Sequence, residues 1–411
     1  MQHISSDTQR HVSSGPTWQI QWQRETWWMA GKTDRNDSGL WLPLFMHLQD
    51  TAGIMGYLVR VWIPEAVRRA IGLEEETLIR TAKFLGLTHD IGKAIPLFQG
   101  RVVTLPEEAR TNLGTIISGA LPFLNAKKTP HARASEAILL ELGCPPGLAS
   151  IAGAHHGKPQ EDGISPDRIR DQIEACGENY LGNPEKLEWR AIWQDLLTMA
   201  LQESGFTSVE ELPSDLNVSG ELILTGLLIM ADWIASNTTY FPLISVEENG
   251  RESEYPGRIR WALEKLRLPD PWEGQYPFMG EGEFQERFGF LPYAAQSAVM
   301  QAASSVSEPG LMILEAQMGA GKTEAALAAA EIFAARFQEG GIFFGLPTQA
   351  TANGIFGRLK SWAEEQSQDG DRHSINLAHS MAALNEEYRE LFEGTAVTEE
   401  DQREGGLIVH S

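Results

Sequence analysis

An all-α domain followed by the opening of a parallel α/β domain is the fold class the sequence predicts, on three observations. Up to about Leu266 apolar residues recur at threes and fours, as in TLIRTAKFLGLTHDIGKAI, SEAILLELG and EWRAIWQDLLTMALQE, and strand-like runs are scarce. Residues 269 to 283, PDPWEGQYPFMGEGE, are dense in proline and glycine, which break helices. After them GLMILEA, EAALAAAEIFAARFQ and GGIFFGLP read as strand, helix and strand, the βαβ unit of a parallel sheet. The expected division is a helical domain over 1–268, a connection over 269–285 and an incomplete α/β domain over 286–411, whose last residues, GGLIVHS, look like another strand.

Within the helical part, Thr129-Pro130 ahead of HARASEAILLEL and Ser165-Pro166-Asp167 ahead of the next segment mark helix starts. The chain has 411 residues, 42% of them hydrophobic and 22% charged, enough for a sizeable core in each of two domains. The opening MQHISSDTQRHVSSG is polar and does not resemble a secretory signal. The longest apolar run, Leu222 to Ala235, is shorter than the roughly 20 residues of a spanning helix and contains Asp232, so no membrane segment is expected. Only Cys144 and Cys176 occur, which fits a reducing cytoplasm and leaves cysteine a poor candidate for a disulfide or metal framework. A formal net charge of -23 opposes phosphate backbones unless bound divalent cations reverse the field locally.

Five of the ten histidines fall between positions 47 and 156, on helix-like segments: His47, His89, His131, His155 and His156. Asp90 adjoins His89, and Asp232 interrupts LILTGLLIMADWIASN, where an unpaired buried carboxylate would cost several kcal/mol. Imidazoles and carboxylates together suit Mn, Fe, Co, Ni and Zn rather than Mg or Ca. On a helix His89 and Asp90 point about 100° apart, so they can meet one ion or two from different sides. A carboxylate bridging two ions would hold them about 3.5–4 Å apart, the spacing of sites that polarise a phosphodiester and generate a nucleophile. Lys93, at i+4 from His89, falls on the same helical face and would neutralise a phosphate or leaving oxygen. Taken singly each residue has a structural reading, and Asp50 reads equally as a surface acid or a partner to a ligand; the joint order of histidines and aspartates points to a metal site.

In that order these residues resemble the HD phosphohydrolase superfamily. The flanks WMAGKT, LWLPLFMHLQDTAG, THDIGKAIPLFQ and MADWIASN narrow the resemblance to the HD nuclease domain of the CRISPR-associated helicase-nucleases of type I interference systems. The resemblance implies an all-α HD domain followed by an incomplete RecA-like helicase lobe. It implies one metal held by His47, His89, Asp90 and Asp232 and a second by Asp90, His131, His155 and His156, with Lys93 and Asp90 in catalytic roles. The ions would be two divalent transition metals, Mn, Fe, Co or Ni. The substrate would be single-stranded DNA, cut in antiviral defence in the cytoplasm after recruitment by a CRISPR RNA-guided surveillance complex. The competing reading is an HD phosphohydrolase acting on a small or cyclic nucleotide. Trp27, Trp28 and Trp41 read as core, with a base-stacking surface as the alternative.

The run AQMGAGKTE, Ala316 to Glu324, follows an apolar strand-like segment and opens an alanine-rich helix, the context of a phosphate loop. Gly319 and Gly321 allow the turn, Lys322 supplies a point charge and Thr323 a hydroxyl for Mg. The strict pattern wants glycine at 316; superfamily 2 helicases use the A-x-x-G-x-G-K-T form, which this run resembles. By the same resemblance Gln296 in FLPYAAQSAVM corresponds to the glutamine that contacts adenine, and GLPTQATANGIFGR to a motif that meets the strand backbone. No D-E-x-H or D-E-x-D run follows Lys322, so ATP and Mg are expected of the full-length family, and ATP turnover is not expected of this chain.

Overall fold

Pro43 withholds an N–H and sits at φ -56°, and helix α1, Leu44–Tyr57, starts at the next residue. Almost every side chain of α1 is buried, the mark of a helix at the centre of a core rather than on its surface. The computed structural model describes residues 24–34, 39–101, 129–157, 165–182, 188–246, 255–266, 268, 271–366, 375 and 377. The chain divides into two compact units, 1–61 with 70–265, and 62–69 with 266–411.

After α1 come α2 (Glu65–Ile71), α3 (Glu75–Thr88), α4 (Pro96–Gln99), α5 (His131–Glu141), α6 (Pro146–Gly153), α7 (Trp189–Ser204), α8 (Val218–Ser236) and α9 (Tyr255–Leu266). In the first unit α1 packs against α3 and α8, α3 against α7, and α5 against α6. Gly86 makes the α1–α3 approach possible, because a Cβ there would lie 2.5 Å from the Cα of Ala52. The indole N–H of Trp193 donates to Ala94 O at 2.7 Å, tying α7 to the segment that follows Lys93. Trp27 and Trp28 are 8% and 5% exposed and Trp41 is fully buried, so these tryptophans are core and not stacking surfaces. Helix α8 is long and apolar enough to cross a membrane by length and composition. Its inner face, Leu224, Leu228, Ala231 and Asp232, is nevertheless buried in this unit, as in a core helix.

A small antiparallel sheet, not anticipated from the sequence, flanks α1: β1 (Ala30–Thr33), β2 (Leu40–Pro43) and β3 (Ile244–Ser245), in the order β1-β2-β3. Strands of four and two residues are too short to show a period-two pattern. The β1–β2 register slips between Ala30 and Lys32, leaving Gly31 as a bulge. A Cβ on Gly31 would crowd Leu44 and His47, so the bulge lets β1 pass close to α1. The Gln99 side chain braces this edge: it accepts from Ala30 N at 3.1 Å and donates to Ala30 O at 3.0 Å and Lys93 O at 2.9 Å.

The second unit carries α10 (Glu281–Phe288), α11 (Ala294–Ser305), α12 (Lys322–Phe337) and α13 (Gln349–Glu364). Met279 and Phe284, inside the stretch expected as a connection, pack in its core with Val299, Met300, Ala328 and Ile332. A buried ion pair, Arg287 with Glu331 at 2.7 Å, joins α10 to α12. The segments expected as strands, 310–316 and 340–347, carry no ladder among the described residues. Met312 and Leu314 face the core while Leu311 and Ile313 are 89% and 76% exposed, so the period-two alternation is realised. A ladder also requires a neighbouring strand to take the backbone groups, which local alternation cannot supply. The expected strand at GGLIVHS lies outside the described residues.

Candidate metal centre

Five helices deliver the histidines and aspartates to one place. His47 lies on the first turn of α1, His89 caps α3, Asp90 follows it, His131 opens α5, His155 and His156 follow α6, and Asp232 lies on the inner face of α8. The sequence pattern predicts helix straight through Lys93. Instead α3 ends at Thr88, Asp90 leaves helical geometry at φ -107° and ψ 17°, and Ile91–Lys93 form a tight 3-10 turn. Gly92 explains the break: a Cβ there would overlap His131 O and Ser135 N, and its own N–H donates to Ser135 Oγ at 2.9 Å. Lys93 is therefore placed by this turn and not by a continuing helix, with Nζ 2.5 Å from Asp90 Oδ2, the oxygen that His89 Nε2 also approaches.

The two oxygens of Asp90 serve different sets. Oδ2 is 3.0 Å from His47 Nε2 and 3.4 Å from His89 Nε2. The same two imidazole nitrogens are 3.3 and 3.5 Å from Asp232 Oδ1, closing a group of four. Oδ1 is 3.4 Å from His155 Nε2 and 3.5 Å from His131 Nε2. His156 Nε2 lies 2.7 Å from His131 Nε2, completing a second group of His131, His155 and His156. All seven expected ligands thus fall into two groups joined by Asp90.

The donor atoms fit a cation. His89 Nε2, His155 Nε2 and Asp90 Oδ1 are buried and have no hydrogen-bonding partner among the described residues, an expensive arrangement unless an ion takes their lone pairs. The other ring nitrogens are already committed: His89 Nδ1 donates to Gly86 O at 2.9 Å and His155 Nδ1 to Ala152 O at 2.6 Å. Such bonds set the tautomer and aim Nε2 inward. Burial opposes the charge on Asp90, yet Lys93 and His89 hold its carboxyl well below the usual carboxylate range. Burial likewise opposes charge on Asp232, and the adjacent imidazoles of His47 and His89 hold it well below that range. Burial pushes His131 down to about 4 and His155 down to about 3, so both are neutral at pH 7 and ready to ligate. At His89 burial is overcome by Asp90 and Asp232, which raise it to about 9, so a cation entering there displaces a proton.

Several supporting residues were not singled out from the sequence. Ser236 Oγ donates to Asp232 Oδ1 at 3.1 Å; its i+4 spacing on a helix was the available signal. Asp50, left open between surface and support, is fully buried. Arg258 Nε sits 3.0 and 2.9 Å from its two oxygens. Burial pushes the Asp50 carboxyl up to about 7 against the pull of Arg258.

In the second unit Gly319 and Gly321 adopt φ of 83° and 71°, the left-handed region that favours glycine. Lys322 donates to Ala316 O at 2.8 Å and Gln317 O at 2.9 Å, and Thr323 lies partly exposed in the first turn of α12. Gln296, implied by the resemblance as an adenine contact, lies on α11 against the loop. Its side chain is buried, accepting from Tyr293 N at 2.8 Å and donating to Gly321 O at 3.0 Å, so it holds the phosphate loop to α11.

The family described as Cas3, HD domain, matches residues 28–241 of this chain. A curated CRISPR-associated nuclease/helicase Cas3 from Streptococcus thermophilus is 37% identical over 404 residues, 93% of this chain and 43% of that protein. A CRISPR-associated endonuclease/helicase Cas3 from Thermus thermophilus is 30% identical over 393 residues, 89% of this chain and 39% of that protein. The chain therefore spans about two fifths of the length of these relatives. Among solved structures, T. fusca Cas3 with ATP is similar in fold, at a TM-score of 0.66 and 24% identity over 87% of this chain and 40% of that one.

Proposed function

The chain belongs to the Cas3 HD-domain family, and on that premise we propose that its first unit is a metal-dependent nuclease that hydrolyses phosphodiester bonds of single-stranded DNA in CRISPR interference. The observation that carries this reading is Asp90, one oxygen facing His47 and His89 and the other facing His131 and His155. His47, His89, Asp90 and Asp232 would hold one ion, and Asp90, His131, His155 and His156 a second, of Mn, Fe, Co or Ni. When bound, such a pair supplies Lewis acidity toward a phosphoryl oxygen and a nucleophile at neutral pH.

The chain's own residues prepare the rest. Lys93 keeps Asp90 ionised, so both carboxylate oxygens remain available to the two halves of the centre. Its ammonium is a fixed cation beside the reacting phosphate and stabilises negative charge as it builds on the leaving oxygen. His47, His89, Asp90 and His155 are buried, while His131 and His156 are more open and mark the side from which a strand approaches. For the whole protein we assign ATP and Mg to the loop of Gly319, Gly321, Lys322 and Thr323, with Gln296 positioning it, and a CRISPR RNA-guided surveillance complex as partner. The words CRISPR-associated and nuclease/helicase in the names of the relatives support these assignments. For this chain we expect no ATP turnover.

The test is cleavage of circular single-stranded DNA with Mn²⁺ or Ni²⁺, with and without ATP, against Asp90→Ala. Metal-dependent cutting that ignores ATP and disappears in the variant is the expected result. Hydrolysis of a cyclic nucleotide with no cutting of the circle would replace this reading with that of a small-nucleotide phosphohydrolase.

A further inference from the structure

Beside the metal centre, in the same unit, lies a cleft of about 460 Å³, a size typical of small-molecule sites. Its walls are the edge strand Gly31–Thr33, the turn of Leu97, Phe98 and Arg101, and Thr129–His131. We propose that this cleft seats the nucleotide next to the scissile phosphate, taking its base against Phe98 and its phosphate at Arg101; the proposal rests on the nuclease reading above.

Three observations converge on this occupant. The first is continuity: His131, which lines the cleft, is also 3.5 Å from Asp90 Oδ1, so whatever fills the cleft abuts the reacting group. The second is charge. The chain holds 56 acidic residues against 33 basic ones, yet among the described residues no carboxylate lines the cleft, and Lys32 and Arg101 do. A cavity cleared of acids in so acidic a chain is matched to an anion. The third is the aromatic wall. Phe98 is half-buried, its ring edge-to-face with His131 at 5.6 Å between centroids, and Lys93 Nζ stands 5.7 Å from its centroid. An aromatic platform next to cations is how proteins hold single strands without reading sequence.

The walls are also held rigid. Gln99 satisfies the outer N–H and C=O of Ala30, so the edge strand is fixed where it enters the cleft. Lys32 donates to Ser236 O at 2.6 Å, and Ser236 in turn holds Asp232, so the basic wall and the ligand set share one support. Arg101 is exposed at the outer end, its backbone N–H bonded to Phe98 O at 3.0 Å.

The test is binding of a labelled single-stranded oligonucleotide by anisotropy in EDTA, where nothing is cut. Arg101→Ala, at an exposed position that cannot unfold the core, is expected to weaken binding about fivefold and to reduce the slope of log K against log salt by about 0.7, one phosphate contact. Arg101→Lys restores the slope. Phe98→Leu, which keeps the apolar volume, is expected to weaken binding about tenfold with the slope unchanged. An oligonucleotide carrying 5-iodouracil is expected to crosslink to Phe98. Wild-type affinity and slope in both Arg101→Ala and Phe98→Leu would overturn the proposal, as would a mononucleotide that competes as well as the oligonucleotide. A protein that binds and crosslinks but cuts with no metal sinks the nuclease reading alone; one that cuts while both variants bind normally sinks the cleft alone.

Discussion

Sharing of one carboxylate between two ligand sets predicts a graded response to its removal. An ion that binds only the folded state at a free concentration of one hundred times its dissociation constant stabilises that state by about 2.7 kcal/mol, and two such sites contribute about 5.4 kcal/mol. In a unit of this size each kcal/mol moves the melting temperature by about 2–4 °C, so two ions raise it by roughly 10–20 °C. Of the candidate ligand histidines, Asp232 Oδ1 approaches His47 and His89, both of the first set. Asp232→Asn is therefore expected to retain one ion by plasma mass spectrometry and about half of the metal-induced shift. Asp90 reaches into both sets. Asp90→Asn is expected to lose both ions and essentially the whole shift. The quantity compared is the difference between Mn²⁺ and EDTA within each variant, because Asp90→Asn also strands Lys93 and lowers the metal-free baseline. An Asp90→Asn protein that keeps one ion and half the shift would show that the sets bind independently, and the bridging argument would fail.

Three further outcomes follow from buried groups around the centre. Glu136 is 4% exposed, its Oε2 has no hydrogen-bonding partner among the described residues, and burial pushes its carboxyl from 4.5 up to about 7. The folded state thus retains a proton that the unfolded chain releases, so stability falls as pH rises from 4.5 through 7, by about 3 kcal/mol at most. Glu136→Gln should flatten the melting temperature across that window, and an unchanged slope would show that other groups set it. Arg258→Met leaves Asp50 buried without its cation; breaking such a pair costs roughly 3–5 kcal/mol. The loss should be larger at pH 8, where the carboxyl is charged, than at pH 6, and Asp50→Asn with Arg258→Met should recover most of it; equal losses at both pH values would refute the account. Gly92→Ala forces the turn away from α5, so metal content should drop below one ion per chain and amide exchange should quicken at the start of α5, while an unaffected metal content would show that the turn yields.

The histidines and aspartates of the candidate centre were legible because they recur in one part of the chain and because Asp232 in α8 and His89 at the end of α3 interrupt apolar stretches, where a polar residue has no local reason to be. Distances between helices were not. The helix was extended one turn too far at Lys93, and the break comes from Gly92 meeting α5, a residue pair 39 positions or more apart that periodicity does not register. Asp50 stayed ambiguous for the same reason, since Arg258 stands 208 positions away. Helical segments were legible throughout the first unit, whereas β1, β2 and β3 are too short to announce themselves. In the second unit the alternation of Leu311 to Glu315 gave the facing of side chains correctly but not a ladder, because facing is local and pairing is not. Gln296 shows the same limit at a site: its type and position were legible, its commitment to Gly321 was not.

The net charge of -23 and the nucleic-acid substrate proposed for this chain are reconciled by range rather than by balance. At physiological salt the field of a surface carboxylate decays over about 8 Å, so acids on the far faces scarcely reach a strand at the centre. What it meets is local: Lys93 against Asp90, Lys32 and Arg101 on the cleft, and no carboxylate among the described residues of the cleft walls. Asp90 and Asp232 are the exceptions, and both lie where ligands must be negative to hold divalent ions. With those ions bound the centre becomes the largest positive charge in the unit, and the acidic surface then works in its favour by discouraging phosphates everywhere else. Binding of a strand should accordingly depend on metal more steeply than on net charge, because the attraction is assembled at one site and not spread over a basic face.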